Sequence, residues 1–260
     1  PMPDPLPSFS LDNHLIVITG ASQGIGQSMA ETYAALGARV VLAARSMDKL
    51  KDVQAGIVDA GGQADVVQTD VTNLDEISRL ADHVGDLLKG DEDTTLVLVN
   101  NAGLGFTKPM LEITEDDWDN LYDLNVKGTF FCCQKIAPYM LERGYGKIIN
   151  LGSAWGKTSG RGKSAYSSSK AAIERLTVNL STEWLPDGIR VNSIGPTATK
   201  TPFTAVTMAA DPARFEGIRK RIMLGRFVET SDLLGAAVFL ASEASDFISG
   251  QTLYVDGGFV

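Results

Sequence analysis

Short apolar stretches alternate with segments of helical periodicity along most of the chain, and this alternation limits the possible folds more than any other feature. Residues 15–19 are a run of mostly β-branched side chains, which predicts a strand buried on both faces. Residues 25–36 follow with helical spacing and stop at Gly37, a common residue just past a helix end. The same order recurs, with further strands predicted at 39–44, 64–68, 96–100, 147–151, 190–194 and 252–255, and helices at 48–60, 73–88, 114–142, 164–184 and 230–240.

Buried strands separated by helices predict a parallel sheet with helices on both faces, and right-handed crossovers make such a sheet doubly wound. We therefore predict an α/β fold with a Rossmann-type, seven-stranded parallel sheet in a single domain spanning residues 1–260. Residues 1–10 contain four prolines and are predicted to form an extended N-terminal arm. Residues 197–224 show weak periodicity and are long for a connection, which is typical of a lid over a binding site.

Composition excludes several classes of partner. The 260 residues carry a net charge of -9, which argues against binding to nucleic acid or to an anionic membrane surface. No segment reaches the ~18 consecutive apolar residues of a membrane span. The adjacent Cys132 and Cys133 are poorly placed for a mutual disulfide, which favours a reducing, cytoplasmic location. His14 and His83 occur without a metal-ligand spacing, so no metal site is predicted.

A glycine-rich turn lies between the first predicted strand and the first predicted helix. Gly20, Gly24 and Gly26 have the spacing G-x-x-x-G-x-G. A residue without a Cβ lets the backbone approach a pyrophosphate, and the helix N-terminus adds N–H donors and a positive dipole end. The alternative is a tight turn needed only for packing. We predict cofactor binding here, with the intervening residues Ser22, Gln23 and Ile25 included in the site.

The residue after the second predicted strand indicates which dinucleotide binds. An acidic side chain at this point would bond the 2′-hydroxyl of NAD, but the chain has Ala43, Ala44 and Arg45 there. An arginine can pair with the 2′-phosphate of NADP instead. The sequence therefore predicts that NADP(H) is preferred and that NAD(H) is possible. A solvated arginine with no ligand is the alternative.

Tyr166 and Lys170 are four residues apart in a predicted helix, so they lie on one face, one turn apart. A free tyrosine has a pKa near ~10, and a nearby cation lowers the pKa by favouring the phenolate. Such a tyrosine can exchange a proton with an alcohol or a developing alkoxide. An ordinary exposed pair of side chains is the alternative, because this spacing often arises by chance.

Taken together, the motifs resemble those of the classical short-chain dehydrogenases/reductases over residues 12–258. They occur in that family's order, and Ser153 precedes Tyr166 by the family's usual thirteen residues. The matching motifs are Thr19-Gly20-Ala-Ser-Gln-Gly24-Ile-Gly26, Asp70-Val71, Asn100-Asn101-Ala102-Gly103, Asn125, Ser153, Tyr166-x-x-x-Lys170 and Tyr254-Val-Asp-Gly-Gly258.

The resemblance implies a role for each catalytic residue. Tyr166 would be the general acid and base, and Lys170 would lower its pKa and bond the nicotinamide ribose. Ser153 would hydrogen-bond the substrate carbonyl oxygen, and Asn125 would hold a water in a proton relay to Lys170.

The resemblance also implies cofactor contacts, although one motif departs from the family. Asp70 and Val71 would face the adenine, Asn101 and Ala102 would line the adenosine side, and Gly103 would let the cofactor pass close to the backbone. Thr197 and Thr199 replace the glycine and the aliphatic residue usual after Pro196, so any departure from the family's backbone path is expected at the pocket floor. The nicotinamide carboxamide is still expected near the remaining residues of this motif, Pro196, Thr199 and Thr201.

The leading interpretation is an NADP(H)-dependent oxidoreductase that interconverts a ketone and a secondary alcohol, forms a homotetramer and takes a small molecule as its partner. The expected substrate has an apolar side, because the residues predicted to line the pocket are mostly apolar. A sugar acid would need convergent cations, for which Arg161, Lys163 and Lys200 are the candidates. The alternatives are a sugar or polyol dehydrogenase, a 3-oxoacyl-carrier-protein reductase, and a non-catalytic dinucleotide-sensing protein. The predicted pocket residues are Leu104, Phe106, Trp155, Gly195, Phe203 and Met208.

Overall fold

A computed structural model describes residues 8–260, so most of the predicted N-terminal arm lies outside the described residues. The strands are β1 His14–Thr19, β2 Arg39–Ala44, β3 Gln63–Gln68, β4 Thr95–Asn100, β5 Gly146–Leu151, β6 Ile189–Pro196 and β7 Thr252–Val255. The helices are α1 Gly24–Ala35, α2 Met47–Asp59, α3 Leu74–Leu87, α4 Glu115–Tyr122, α5 Gly128–Arg143, α6 Ala154–Lys157, α7 Ser164–Trp184, α8 Pro202–Ala210, α9 Pro212–Arg221 and α10 Thr230–Ala241.

The seven strands form one parallel sheet in the order β3-β2-β1-β4-β5-β6-β7. In its register Ile16 of β1 faces Val40 of β2 on one side and Val97 of β4 on the other. The strand order reverses between β1 and β4. The carboxyl ends of these strands diverge at such a reversal, and the crevice outside them is where doubly wound sheets bind ligands.

Helices cover both faces of the sheet, and each face has its own apolar core. On one face α1, α2 and α10 pack around Met29, Leu50 and Leu233, which are completely buried. On the other face α3 and α5 contribute Leu80 and Ile136. Every residue of β1, β4 from Leu96 onward and β5 is buried, and most of their side chains are apolar on both faces of the sheet. The predicted α/β fold with a doubly wound parallel sheet is therefore confirmed.

The region predicted as one helix at 114–142 is divided into three parts. Helix α4 passes into a π-helical turn at Asp123–Lys127, and α5 follows directly. Within the turn, the Asn125 carbonyl accepts a hydrogen bond from the Thr129 hydroxyl at 2.9 Å. The single extra residue of such a turn is not detectable from hydrophobic periodicity, so the sequence predicted one continuous helix. Turns of this π-helical kind are frequent at functional sites.

Residues 197–224, predicted as a lid of weak periodicity with no helix assigned, contain helices α8 and α9. Each begins with a proline in its first turn and a capping side chain before it. The Thr201 hydroxyl accepts from Thr204 N at 3.2 Å, and the Asp211 carboxylate accepts from Arg214 N at 3.1 Å. The short α6 was also absent from the prediction. Within residues 8–260, no helix combines the length and apolarity needed to cross a membrane.

Candidate active site

A cavity of about 1180 Å³ opens beyond the carboxyl ends of β1, β2, β4, β5 and β6 and runs from Arg45 to Phe215. It brings together residues from both ends of the chain, as the reversal of strand order requires. The predicted site residues that line it are Gly20, Ser22, Gln23, Gly24, Ile25, Arg45, Asp70, Val71, Asn101, Ala102, Gly103, Ser153, Tyr166, Lys170, Pro196, Thr199 and Thr201, with Leu104, Phe106, Trp155 and Phe203 from the predicted pocket.

The glycine turn is shaped by close backbone packing. Gly20 has a φ of +67°, and the Asn101 side chain donates from Nδ2 to the carbonyls of Thr19 at 2.9 Å and Gly20 at 3.1 Å. A Cβ on Gly26 would lie 2.4 Å from Asn101 Nδ2 and 2.5 Å from the Gly20 carbonyl oxygen. Gly26 therefore does not line the cavity, contrary to expectation. A glycine is needed at position 26 because the glycine turn packs directly against the residues that follow β4.

The N-terminus of α1 points its free backbone donors at this turn. Its capping residue, Gln23, makes no side-chain hydrogen bond to the first turn of the helix. Instead, the Gln23 side-chain oxygen accepts from Lys49 Nζ at 3.1 Å. The uncapped N–H groups and the helix dipole suit a pyrophosphate, so this end of the cavity fits a dinucleotide.

Two cations line the cavity where the adenosine ribose of a dinucleotide would lie. The Arg45 side chain is exposed, while the Arg45 carbonyl accepts a hydrogen bond from Gln68 Nε2. Lys49, one turn later in α2, lines the same part of the cavity and was not predicted. Its only signal in the sequence was a second basic residue soon after Arg45, and helical spacing does not relate the two because Arg45 precedes α2. The pair fits a 2′-phosphate, which supports the choice of NADP.

The three proposed catalytic side chains that line the cavity come from the turn after β5 and from α7. Ser153 caps α6, accepting from Trp155 N at 3.2 Å and donating to the Pro196 carbonyl at 3.3 Å. Lys170 is buried, and its Nζ donates to the Leu151 carbonyl at 2.7 Å. Tyr166 stands one helical turn before Lys170 on α7.

The ionisation of these groups is set mainly by burial. Burial lowers the pKa of Lys170 to about 8, so its ammonium form still predominates at neutral pH. Burial raises the pKa of the Tyr166 phenol, whereas the neighbouring Ser153 hydroxyl acts in the opposite direction. The pKa of Tyr166 is thus raised in the structure, whereas the sequence predicted that Lys170 would lower it. In the protein alone, the Tyr166 phenol therefore keeps its proton at neutral pH.

Asn125 lies behind the cavity and holds its wall in place. Its Oδ1 accepts from Leu104 N and its Nδ2 donates to the Leu104 carbonyl, each at 2.9 Å, and Nδ2 also donates to Ser169 Oγ at 3.1 Å. A Cβ on Gly103 would lie 3.1 Å from Asn125 Oδ1 and 3.6 Å from Lys170 Nζ. Asn125 and Lys170 therefore both lie near Gly103, as a proton relay between them would require. The hydrogen bonds of the Asn125 amide itself anchor the loop after β4.

Gly105 is a site residue that the sequence analysis missed. A Cβ on Gly105 would lie 2.8 Å from Cε2 of Tyr166, so the backbone of this loop runs against the phenol ring. Any larger residue would displace either the loop or the ring. The sequence shows only an isolated glycine after the Asn-Ala-Gly motif, with nothing to indicate its neighbour.

Two predicted pocket residues lie outside the cavity. A Cβ on Gly195 would be 2.6 Å from the Tyr254 ring, because β6 and β7 are adjacent there. Met208 packs against the apolar cluster that includes Trp155 and Phe215 instead of facing the opening.

Among the three cations considered for a sugar acid, only Lys163 lines the cavity. Lys200 forms an ion pair with Glu229, and Arg161 is exposed on the loop before α7. Arg214 of α9 lines the same end of the cavity as Lys163 and was not predicted. It lies 44 positions after Lys170 in the chain and is brought to the site by α9.

Known proteins with similar sequences and structures are dehydrogenases and reductases. A family model described as enoyl-(acyl carrier protein) reductase matches residues 20–260. The gluconate 5-dehydrogenase of Gluconobacter oxydans (strain 621H) is 37% identical over 250 residues, covering 96% of both chains.

Two solved structures are similar over nearly their whole length. A gluconate 5-dehydrogenase from Burkholderia cenocepacia J2315 in complex with NADP and tartrate has a TM-score of 0.89 at 34% identity, covering 96% of each chain. A short-chain type dehydrogenase/reductase from Mycobacterium marinum has a TM-score of 0.90 at 34% identity, covering 97% of each chain. With the motifs and the fold described above, these matches establish that the chain belongs to the short-chain dehydrogenase/reductase family of oxidoreductases.

Proposed function

We propose that the protein is an NADP(H)-dependent oxidoreductase that interconverts a secondary alcohol and a ketone on a sugar-type or polyol-type substrate. The observation that carries the proposal is the position of Ser153, Tyr166 and Lys170 in the cavity that also holds the glycine turn. One end of the cavity suits a dinucleotide phosphate, and the other end presents a proton donor. The gluconate 5-dehydrogenase relatives support a polyhydroxylated substrate over the apolar ketone expected from the sequence.

In the proposed reaction the protein positions the substrate oxygen and moves its proton. Ser153 and Tyr166 hydroxyls hydrogen-bond the carbonyl oxygen, and Tyr166 gives its proton to that oxygen during reduction or takes it back during oxidation. The nicotinamide, when bound, supplies or accepts the hydride. Lys170, protonated below its pKa of about 8, stabilises negative charge as it develops on the phenol.

Arg45 and Lys49 support the choice of NADP over NAD in this proposal. Two cations at the ribose end match a doubly charged 2′-phosphate and would gain nothing from a 2′-hydroxyl. The Burkholderia cenocepacia relative was crystallised with NADP, which agrees with this choice.

The test is the turnover of NADPH with a panel of ketoses, keto acids, cyclic ketones and an acetoacetyl thioester. We expect turnover with polyhydroxylated ketones, and we expect Tyr166→Phe to lower kcat by at least ~10²-fold while NADPH still binds. Tyr122→Phe is a matched control, because that phenol bonds Ser168 on the outer side of α7. Unchanged turnover in Tyr166→Phe would refute the catalytic role of the tyrosine.

A homotetramer in the cytoplasm completes the proposal. Cys132 and Cys133 are both buried and free, which suits a reducing compartment. Exposed apolar side chains on the outer surfaces of α5 and α7, including Phe130 and Val178, support association through these helices.

A further inference from the structure

The end of the cavity beyond Tyr166 contains two cationic side chains with no anionic partner. Lys163 precedes α7 and Arg214 lies on α9, and both line the cavity. No carboxylate of residues 8–260 lies within 4 Å of either charge. This is unusual in a chain with a net charge of -9, where acidic groups outnumber basic ones.

The surroundings of these cations are aromatic. Lys163 Nζ lies 4.9 Å from the centre of the Tyr166 ring and 5.7 Å from that of Trp155, and it donates to the Phe106 carbonyl at 3.2 Å. The Arg214 guanidinium lies 5.1 Å from the centre of the Phe215 ring. Such walls hold the two charged groups in position while offering them no counter-ion.

The two cations also repel one another across the cavity. Burial, together with the neighbouring positive charge of Arg214, lowers the pKa of Lys163 to about 8. A half-buried ammonium with a like charge beside it is unfavourable in the protein alone. An anion placed between the two charges would offset both the cost of burying the ammonium and the repulsion between the cations. The arrangement is therefore more favourable with an anionic ligand than without one.

We propose that Lys163 and Arg214 form a carboxylate-binding subsite, so that the substrate is a hydroxy acid or keto acid. The inference rests on the proposed function, because it places the reacting carbon at Tyr166. Lys163 Nζ lies against the ring of that tyrosine, so the carboxylate is separated from the reacting carbon by only a few carbon atoms. The planar guanidinium of Arg214 suits a carboxylate, which it can bind through two parallel hydrogen bonds.

The first experiment compares two substrates that carry the same ketone. 5-Keto-D-gluconate has a carboxylate at the end where L-sorbose has a hydroxymethyl group. The quantity measured is the ratio of kcat/KM for the acid to kcat/KM for the neutral ketose, with NADPH saturating. Wild-type protein is expected to favour the acid, and Lys163→Met and Arg214→Gln are each expected to lower this ratio by about 10- to 100-fold, the effect of losing a charge-assisted hydrogen bond.

The variants preserve the shape of the site. Methionine has nearly the length of lysine and places an apolar group near the Tyr166 and Trp155 rings that Lys163 Nζ faces. Arg214 is half-buried on α9, so we expect glutamine to be accommodated there. Arg161→Gln is the matched control, because Arg161 is an exposed cation on the same loop that does not line the cavity. Thermal unfolding of each variant checks its folding. An unchanged ratio in both Lys163→Met and Arg214→Gln would overturn the proposal.

A binding measurement separates this inference from the proposed function. Calorimetric titration of the NADPH-bound protein with tartrate needs no turnover, so it reports the subsite even where neither ketone reacts. We expect tartrate binding by wild type and by Tyr166→Phe, with a dissociation constant at least tenfold higher in Lys163→Met and Arg214→Gln. Equal binding in all variants, or no binding by wild type, would refute the subsite. Tartrate binding without turnover of any substrate would instead count against the proposed reaction.

Discussion

Among single residues, the proposed catalytic group Lys170 is expected to lower the stability of the fold, because its charge is buried. Its side chain is 7% exposed, and burial lowers its pKa to about 8, while an unfolded lysine titrates near ~10.4. The unfolded chain therefore binds more protons between these two pH values. The destabilising contribution, on the order of 3 kcal/mol, is fully present below pH ~8 and disappears as the pH rises towards ~10.4.

We therefore predict that Lys170→Met abolishes turnover but raises the free energy of unfolding at pH 7 by about 1–2 kcal/mol. The gain is smaller than the full contribution because the Leu151 carbonyl loses its donor. Urea unfolding at pH 7 and pH 9.5 is the measurement, and the advantage of the variant should shrink at the higher pH. Lys51→Met, on the exposed side of α2, should show no such pH dependence. A variant that is less stable than wild type at both pH values would contradict this account of Lys170.

Arg45 and Lys49 allow the cofactor preference to be tested residue by residue. We predict that Arg45→Gln lowers kcat/KM with NADPH by about 10- to 100-fold, with less than about threefold change for NADH, because only NADPH offers a phosphate to the guanidinium. Lys49→Gln should also lower kcat/KM with NADPH, but by a smaller factor, since Lys49 also bonds Gln23. Lys51→Gln serves as the control on the same helix. Equal losses with both cofactors would mean that Arg45 supports the fold instead of the phosphate.

At the level of secondary structure, the elements predicted most closely are strands in the buried interior of the sheet, which are mostly apolar. The strand predicted at 39–44 is β2, with the same limits, and that predicted at 147–151 is β5, which begins one residue earlier. Helices α8 and α9 were not predicted, because their starts depend on polar caps more than on hydrophobic periodicity. Thr201-Pro202 and Asp211-Pro212 were the available signals, each a capping residue followed by proline.

Prediction of the site residues from the sequence was limited in the same way. Ser153, Tyr166 and Lys170 were assigned roles because a motif fixes their spacing and the resemblance supplies their chemistry. Gly105 and Arg214 have no motif, and only the folded chain reveals that one touches Tyr166 and the other approaches Lys163. A sequence pattern therefore locates residues that act together within one segment. It does not locate partners that separate elements bring into contact.

Helix α8 is held to the site by a small hydroxyl network, which gives a prediction about the lid. Thr204 Oγ1 donates to the Thr199 carbonyl at 2.6 Å, and Thr201 N donates to Thr204 Oγ1 at 2.9 Å. We predict that Thr204→Val costs about 1 kcal/mol locally and lowers hydrogen-exchange protection of residues 202–210 about fivefold. The control is Thr207→Val, whose hydroxyl bonds only the preceding turn. Loss of protection throughout the protein, or none in α8, would contradict a local anchoring role.

For the molecule as a whole, the outer surface of the helices next to the site carries exposed apolar side chains. On the face covered by α5 and α7, Phe130 is 42% exposed and Val178 is 37% exposed. Asn125 lies in the turn just before α5, and Tyr166 and Lys170 lie on the inner side of α7, so association through these helices would stiffen the wall of the cavity. Exposed apolar side chains on adjacent helices are typical of an interface between subunits.

We predict that wild-type protein is the proposed homotetramer, with about four times the 27.8 kDa mass of the chain, and that breaking this one interface with Phe130→Asp or Val178→Asp yields a smaller species. A carboxylate at a buried apolar interface carries a desolvation cost of several kcal/mol with no partner to offset it. Light scattering coupled to gel filtration measures the mass directly. Val58→Asp is the matched control, because Val58 is 52% exposed on α2, which covers the opposite face of the sheet. A monomeric wild type, or dissociation by Val58→Asp as readily as by Phe130→Asp, would refute this interface.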